Sequence, residues 1–267
     1  MTNILETIIA RKKKEVAERK AARPVFELEQ FPLFKRKTLS LPHYLLQADK
    51  TGIIAEFKKR SPSKGIINDS SSAGTVVKEY EKYGASAVSV LTDGDFFGGS
   101  LDDLIEAAAV LHIPLLRKDF MIDEYQLVES KACGADIILL IAACLPKEEV
   151  KTLATIAKEM GLGVLLEIHN EQELGHICDE IDVVGINNRD LKTFKVDINH
   201  SITLGKKIPS QKIKISESGL EDVKTLAHLK QNGFSGFLMG EKFMKEKDPG
   251  VSFGEFVNEL RNIGSQF

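Results

Sequence analysis

Cysteine is scarce in this chain of 267 residues, and the three present, Cys133, Cys144 and Cys178, are odd in number and not spaced as a metal knuckle. Neither a disulfide framework nor a zinc site is indicated, and the cytosol is the expected compartment. Long hydrophobic runs are missing too: no stretch reaches about 18 apolar residues, so no transmembrane helix is expected. The start, MTNILETIIARKKKEVAERK, has only a short apolar run before its charges and does not read as a secretory signal. Charge of one sign is not in excess, at a formal net of −3, which gives no general reason to expect nucleic acid or a membrane surface as partner. Any anion must therefore be bound locally.

What is present is ample for a sizeable core, with 43% of residues hydrophobic. Residues 3–20 read as a helix with Ile4, Leu5, Ile8, Ile9 and Val16 on one side; its run of Arg11, Lys12, Lys13 and Lys14 reads as a solvated face. Pro24 closes that segment, and a second short helical pattern follows near Ser40 to Ala48. These first 50 or so residues are expected to pack across one end of the main fold or cover its mouth. From Ile53 onward short apolar strands alternate with amphipathic helices. The expected strands are Ile53–Phe57, Ala87–Leu91, Pro114–Leu116, Ile137–Ile141, Gly163–Ile168, Val183–Ile186, Lys212–Ser216 and Gly236–Met239. Helical patterns cover Ala73–Tyr83, Leu101–Leu111, Glu124–Cys133, Lys147–Met160, Glu171–Ile177, Asn199–Lys207, Glu221–Gln231 and Phe253–Ile263. Gly84, Gly134, Gly161 and Gly233 fall just past helix ends, where a left-handed cap is wanted. Continuously apolar strands joined by helices indicate a covered parallel sheet, and eight such units make a single (β/α)8 barrel domain with an N-terminal helical extension. A doubly wound open sheet is the structural alternative, but the G-x-G-x-x-G fingerprint is missing after the first strand.

In a barrel the active site sits at the carboxyl-terminal strand ends, so what occupies those ends becomes a functional test. The stretch Ile53 to Gly65 ends its strand in Glu56 and Lys58, whose side chains leave the same side of an extended chain; a loop with Ser61, Ser63 and Gly65 follows. Taken alone it also reads as an edge strand with solvated charges. The third strand end carries Arg117, Lys118, Asp119 and Phe120, and the fifth Glu167 with His169 beyond; the sixth carries Asn187, Asn188 and Arg189, the seventh Glu217, Ser218 and Gly219, and the eighth Gly240. Lysines and carboxylates brought into one mouth set each other's protonation by pairing and desolvation, which suits proton transfer near neutral pH. His169 is a candidate general base that reads better as a group outside the barrel layer. Ser218, Gly219 and Gly240 offer hydroxyl and backbone contacts to a phosphate after strands seven and eight, with Ser61 and Lys58 closing the other side, although both glycines also read as turn residues.

The phrases Ile54-Ala55-Glu56-Phe57-Lys58 with Ser61-Pro62-Ser63, Leu116-Arg117-Lys118-Asp119-Phe120, Leu166-Glu167-Ile168, Gly185-Ile186-Asn187-Asn188-Arg189-Asp190-Leu191 and Ile215-Ser216-Glu217-Ser218-Gly219 resemble, in order, the indole-3-glycerol phosphate synthase family. The resemblance implies a lyase of tryptophan biosynthesis that converts 1-(2-carboxyphenylamino)-1-deoxyribulose 5-phosphate to indole-3-glycerol phosphate. It implies no cofactor and no metal, a small phosphorylated molecule as the partner, and an extension lying over the barrel mouth; a monomer is the expected state. By the same resemblance Lys118 is the general acid of ring closure. Glu167 stabilises positive charge or takes a proton, Glu56 and Lys58 serve the dehydration, and Asn187, Arg189 and Glu217 orient substrate and catalytic groups. Ser61, Ser218, Gly219 and Gly240 hold the phosphate, while Phe97, Phe120 and Leu139 line the aromatic pocket. One departure is Gly240-Glu241-Lys242-Phe243-Met244, with Lys242 and Phe243 where the family usually has a small residue and Leu; Lys242 is not counted as a phosphate ligand. Two readings from other classes remain, an isomerase of phosphoribosyl-type intermediates and a binding protein without catalysis.

Overall fold

Eight short apolar strands close into a parallel barrel in the order of the sequence. They are β1 (Ile53–Phe57), β2 (Ala87–Leu91), β3 (Leu115–Lys118), β4 (Ile137–Ile141), β5 (Gly163–Ile168), β6 (Val183–Asn187), β7 (Ile213–Glu217) and β8 (Gly236–Met239), and β8 pairs back onto β1. The computed structural model describes residues 4–190 and 193–264; Asn3, where the first expected helix begins, and Leu191, the end of the Gly185 phrase, lie outside them. The longer helices are α1 (Ile4–Ala22), α2 (Ala73–Tyr83), α3 (Leu101–Val110), α4 (Glu124–Ala132), α5 (Lys147–Glu159), α6 (Ile198–Gly205), α7 (Val223–Gln231) and α8 (Pro249–Gly264). Among the described residues no helix is long and apolar enough to cross a membrane.

Local chemistry sets the element boundaries. Ser72, Ser100, Asp123, Asp197 and Asp222 each accept a first-turn backbone N–H and so start their helices. Gly84, Gly134, Gly161 and Gly233 have the positive φ angles that end or leave them. The strand expected over Pro114–Leu116 instead begins at Leu115 and runs to Lys118, because Arg117 and Lys118 continue the ladder against Val90 and Leu91. The helix expected over Glu171–Ile177 is a 3₁₀ turn, Glu171–His176. There the Asn170 side chain takes the N–H groups of Gln172 and Glu173, and Gly175 adds no helical preference.

Strand alternation divides the core in two. Ile53, Ala55 and Phe57 of β1 face the helices, while Ile54 packs inside the barrel with Leu116, Leu139, Leu165 and Ile215. The same parity carries Glu56, Lys118, Glu167, Asn187 and Glu217 inward at the carboxyl-terminal ends, so the barrel's period-two pattern itself assembles the polar mouth. It also turns Arg117 outward. Expected as part of the ionisable strand end, Arg117 instead pairs beneath α4 with Glu129 at 2.9 Å and with Asp119 at 3.1 Å.

The extension serves both ends of the barrel. Leu41 and Leu45, on a short helix (Leu41–Leu45), join the inner core, with Leu45 against the start of β8 at Gly236. At the other end α1 brings Ile4, Leu5 and Ile8 to the mouth. Lys12 corrects the reading of a solvated basic face: it is 1% exposed and ion-pairs with Glu15, Asp93 and Asp119 at 2.8, 2.9 and 2.8 Å. A run of four cations conceals which one points inward, since helical position decides burial rather than residue type.

Candidate active site

A cleft of about 480 Å³ opens at the carboxyl-terminal ends of the strands, and Lys118 is among the residues that line it. Its ammonium lies 2.7 Å from Glu217 Oε2, 3.5 Å from Glu167 Oε2 and 3.9 Å from Glu56 Oε2. Burial opposes that charge, but the carboxylates of Glu217, Glu167 and Glu56 outweigh it and raise the Lys118 pKa, so the amine is protonated across neutral pH. Glu56 in turn pairs with Lys58 at 2.8 Å. Burial alone would raise the Glu56 carboxyl; Lys58 and Lys118 hold it below the usual range.

Glu167 is held from two sides. Asn187 Nδ2 donates to Glu167 Oε1 at 3.0 Å, and His169 Nε2 stands 3.1 Å from the same oxygen. Behind the imidazole Glu173 lies 3.4 Å from Nδ1 and accepts the His169 backbone N–H at 2.6 Å. Burial works against a charged His169, yet the flanking Glu167 and Glu173 raise it to about 10. It is therefore an imidazolium that fixes Glu167 as an anion, rather than a free base at the surface. Lys118 first, then His169 and Asn187, hold Glu167 below the normal carboxylate range against the effect of burial.

Glu217 differs from its neighbours. It is 1% exposed, does not line the cleft and meets Lys118 from beneath, with its Oε1 buried and unpartnered. Burial and the like charges of Glu167 and Glu56 outweigh Lys118 and push it up to about 7. Of the three carboxylates around Lys118 it is the one that takes a proton first.

The cleft's two flanks are chemically distinct. One holds Lys58, Ser61, Arg189, Ser218, Gly219 and Gly240. Ser218 has φ 70°, uncommon for a side-chain-bearing residue, and its carbonyl is held by Asn188 Nδ2 at 3.0 Å. Gly219 follows with φ 68°. A Cβ on Gly240 would lie 2.8 Å from atoms of the Glu56 side chain, so only glycine lets β8 end this close to β1. Arg189 pairs with Glu241 at 3.3 Å, and Glu241 is also 3.5 Å from Lys64. The opposite flank is apolar: Phe97 and Phe120 meet with ring centroids 6.1 Å apart, and Leu139 and Ile8 complete it. Backbone amides, hydroxyls and cations suit a phosphate on one side, and the rings suit an aromatic group on the other.

Of the strand-end residues singled out from the sequence, Glu217, His169, Arg117 and Asn188 do not line this cleft: Glu217 contacts Lys118, His169 stands behind Glu167, Asn188 holds Ser216 and the Ser218 carbonyl, and Arg117 points outward. Sequence reasoning missed Ile4, Leu5 and Ile8, for which the apolar face of α1 was the available signal, and Leu91, Phe194 and Val196, for which there was none. Lys242 lines the cleft as well, with its ammonium 5.5 Å over the Phe256 ring. Among the described residues no cluster of His, Cys, Asp and Glu is arranged to hold a metal ion.

Comparison with known proteins follows the same line. Solved structures of tryptophan synthase alpha subunits share the barrel: that of Legionella pneumophila superposes with a TM-score of 0.63 at 14% identity over 85% of this chain and 97% of its own. That likeness concerns the fold alone. In sequence, an indole-3-glycerol phosphate synthase of Bacteroides thetaiotaomicron is 45% identical over 98% of this chain and 100% of its own. One from Albidiferax ferrireducens is 38% identical over 96% and 98%, and one from Salinibacter ruber 39% over 99% and 98%. The family model for indole-3-glycerol phosphate synthase matches residues 5–256. By that match and these full-length relatives, the chain belongs to the indole-3-glycerol phosphate synthase family.

Proposed function

We propose that this chain closes the indole ring of 1-(2-carboxyphenylamino)-1-deoxyribulose 5-phosphate, releasing carbon dioxide and water to leave indole-3-glycerol phosphate. The observation that carries the reading is the Lys118 ammonium held among Glu217, Glu167 and Glu56, between an aromatic flank and a phosphate-suited one. A binding protein has no use for such matched acids and bases. An isomerase of phosphoribosyl-type intermediates would share the phosphate flank but need other groups at β1 and β3.

The roles that the family resemblance implies fall on residues that line this cleft or touch Lys118. Phosphate bound by the Ser61, Ser218, Gly219 and Gly240 side, with Lys58 and Arg189 as cations, and the ring lodged against Phe97, Phe120 and Leu139 bring the aromatic carbon that bears the carboxylate toward the ketose carbonyl. The new carbon–carbon bond forms as the carbonyl oxygen takes a proton from Lys118. The ring carries the resulting positive charge, and the Glu167 carboxylate, kept anionic by His169 and Asn187, stabilises it. Breaking the bond to the carboxylate releases carbon dioxide and restores the aromatic ring. In the dehydration the hydroxyl made from the carbonyl leaves with a proton supplied by the Lys58–Glu56 pair, and a base removes the proton that completes the indole. Glu217 holds Lys118 in place from below, and Asn187 and Arg189 orient Glu167 and the phosphate end. No cofactor enters this scheme, and the enzyme is proposed to work as a cytosolic monomer.

The direct test is to supply the carboxyphenylamino-deoxyribulose phosphate and follow indole formation. The chain has no tryptophan, so product indole fluorescence is not overlaid by indole emission from the protein itself. Formation of indole and carbon dioxide in equal amounts supports the reading; folded protein that yields neither contradicts it.

A further inference from the structure

Lys12 lies outside the cleft, yet it touches the two carboxylates that hold the cleft's aromatic wall. Asp93 pairs with Lys12 through Oδ2 and with its Oδ1 accepts the Phe96 N–H at 2.8 Å, starting the turn (Gly94–Phe97) that presents Phe97. Asp119 pairs with Lys12 through Oδ1, and the same oxygen accepts the Phe120 N–H at 2.8 Å. The other Asp119 oxygen accepts from Thr92 at 2.6 Å and faces Arg117 at 3.1 Å. One ammonium thus joins α1, the end of β2 and the end of β3, behind the rings that meet at 6.1 Å. Along α1 Arg11 also pairs with Asp95 on the same Gly94–Phe97 turn, and the links to the barrel's longer helices lie further toward its C-terminus: Arg19 to Glu129 at 3.0 Å and Lys20 to Asp123 at 2.7 Å. Seven residues of helix, about 10 Å, separate Arg19 from Lys12. Beyond Lys12 lie Ile8, Leu5 and Ile4, the residues that α1 contributes to the cleft.

We propose that Lys12 is a positioning residue for the aromatic end of the substrate, locking the first turns of α1 to the Phe97 and Phe120 wall so that the cleft has a closed apolar side. An amine buried to 1% exposure is retained in such a place only with its carboxylates, and removing it leaves the buried Asp93 without its cation and Asp119 with Arg117 alone, which loosens the wall from the helix. Its kinetic consequence rests on the ring-closure reading; its effect on α1 does not.

Lys12→Met tests both. Its KM for the carboxyphenylamino-deoxyribulose phosphate is expected to rise at least tenfold with kcat within about threefold, while competitive inhibition by inorganic phosphate stays within twofold, because the phosphate flank does not touch Lys12. Trypsin is expected to cut at Arg11, Lys13 or Lys14 at least ten times faster than in the unmodified chain. Lys20→Met, which breaks an exposed pair on the same helix, changes neither. Should Lys12→Met not fold, Asp93→Asn, which keeps the Phe96 cap and loses one charge facing Lys12, shifts KM and proteolysis in the same direction by a smaller factor. Unaltered KM with unaltered proteolysis overturns the proposal, as does a KM that rises together with the phosphate inhibition constant. Because proteolysis of α1 is read without any turnover, failure of the ring-closure reading and failure of this one are separately visible.

Discussion

At the scale of single residues, the site is governed by competition between burial and charge pairing, and Glu217 is where burial wins. A carboxyl with a folded value of about 7 and an unfolded value near 4.5 carries an extra proton in the folded state between those pH values. Folding stability therefore falls as pH rises through that window, and the loss is complete above about 7. Glu217→Gln removes the titration while keeping the shape. Its stability relative to the unmodified protein is expected to improve from pH 5 to pH 8, read as urea midpoints at the two values; differences that do not change with pH contradict this. That Glu56 and Lys58 share a site was legible, because two residues apart on a strand means one side. The state of Glu217 was not, since it depends on Glu56, Glu167 and Lys118 from three other strands converging on it. Lys12 was misread for the same reason: nothing in a run of four cations reveals the Asp93 and Asp119 that lie 81 and 107 positions away in the chain.

The eight barrel strands were the most legible elements, because each is a short apolar run bounded by glycine, proline or charge, and their order in space follows their order in sequence. The less legible elements are those whose form is set by tertiary partners. The 3₁₀ turn at Glu171–His176 is shaped by Asn170, and the two-residue hairpin pairing Arg60–Ser61 with Gly65–Ile66 is too short to leave a pattern. Capping residues sit between these extremes, since their role is local. Asp222 starts α7, which follows the Ser218–Gly219 loop, by accepting the Thr225 N–H at 2.8 Å and the Thr225 hydroxyl at 2.9 Å. Asp222→Ala is expected to cost about 1 kcal/mol of stability, equivalent to roughly 2–4 °C in Tm for a protein of this size. A Tm unchanged by calorimetry contradicts the cap's contribution.

For the whole molecule, one barrel supplies rigid positioning and its extension supplies one side of the cleft. The division of labour follows from barrel geometry: the period-two alternation that buries Leu139 and Leu165 also aims the ionisable groups of β1, β3, β5 and β7 at one point. A single compact unit of 267 residues has a radius of gyration of about 18 Å by the usual scaling. Small-angle scattering at that value is expected if the chain works as a monomer and one domain; a value near that of a dimer contradicts it.

Ring closure as proposed depends on Lys118 as its proton donor. The most direct measurement is a single turnover of the carboxyphenylamino-deoxyribulose phosphate with excess enzyme, run in parallel with the unmodified protein and with Lys118→Met. The unmodified protein is expected to convert the bound substrate to indole-3-glycerol phosphate. Lys118→Met is expected to bind the substrate within about tenfold of the unmodified affinity and to lose at least a thousandfold in rate, roughly what removal of a general acid that also stabilises charge costs. Ring closure by Lys118→Met at the unmodified rate would contradict the account.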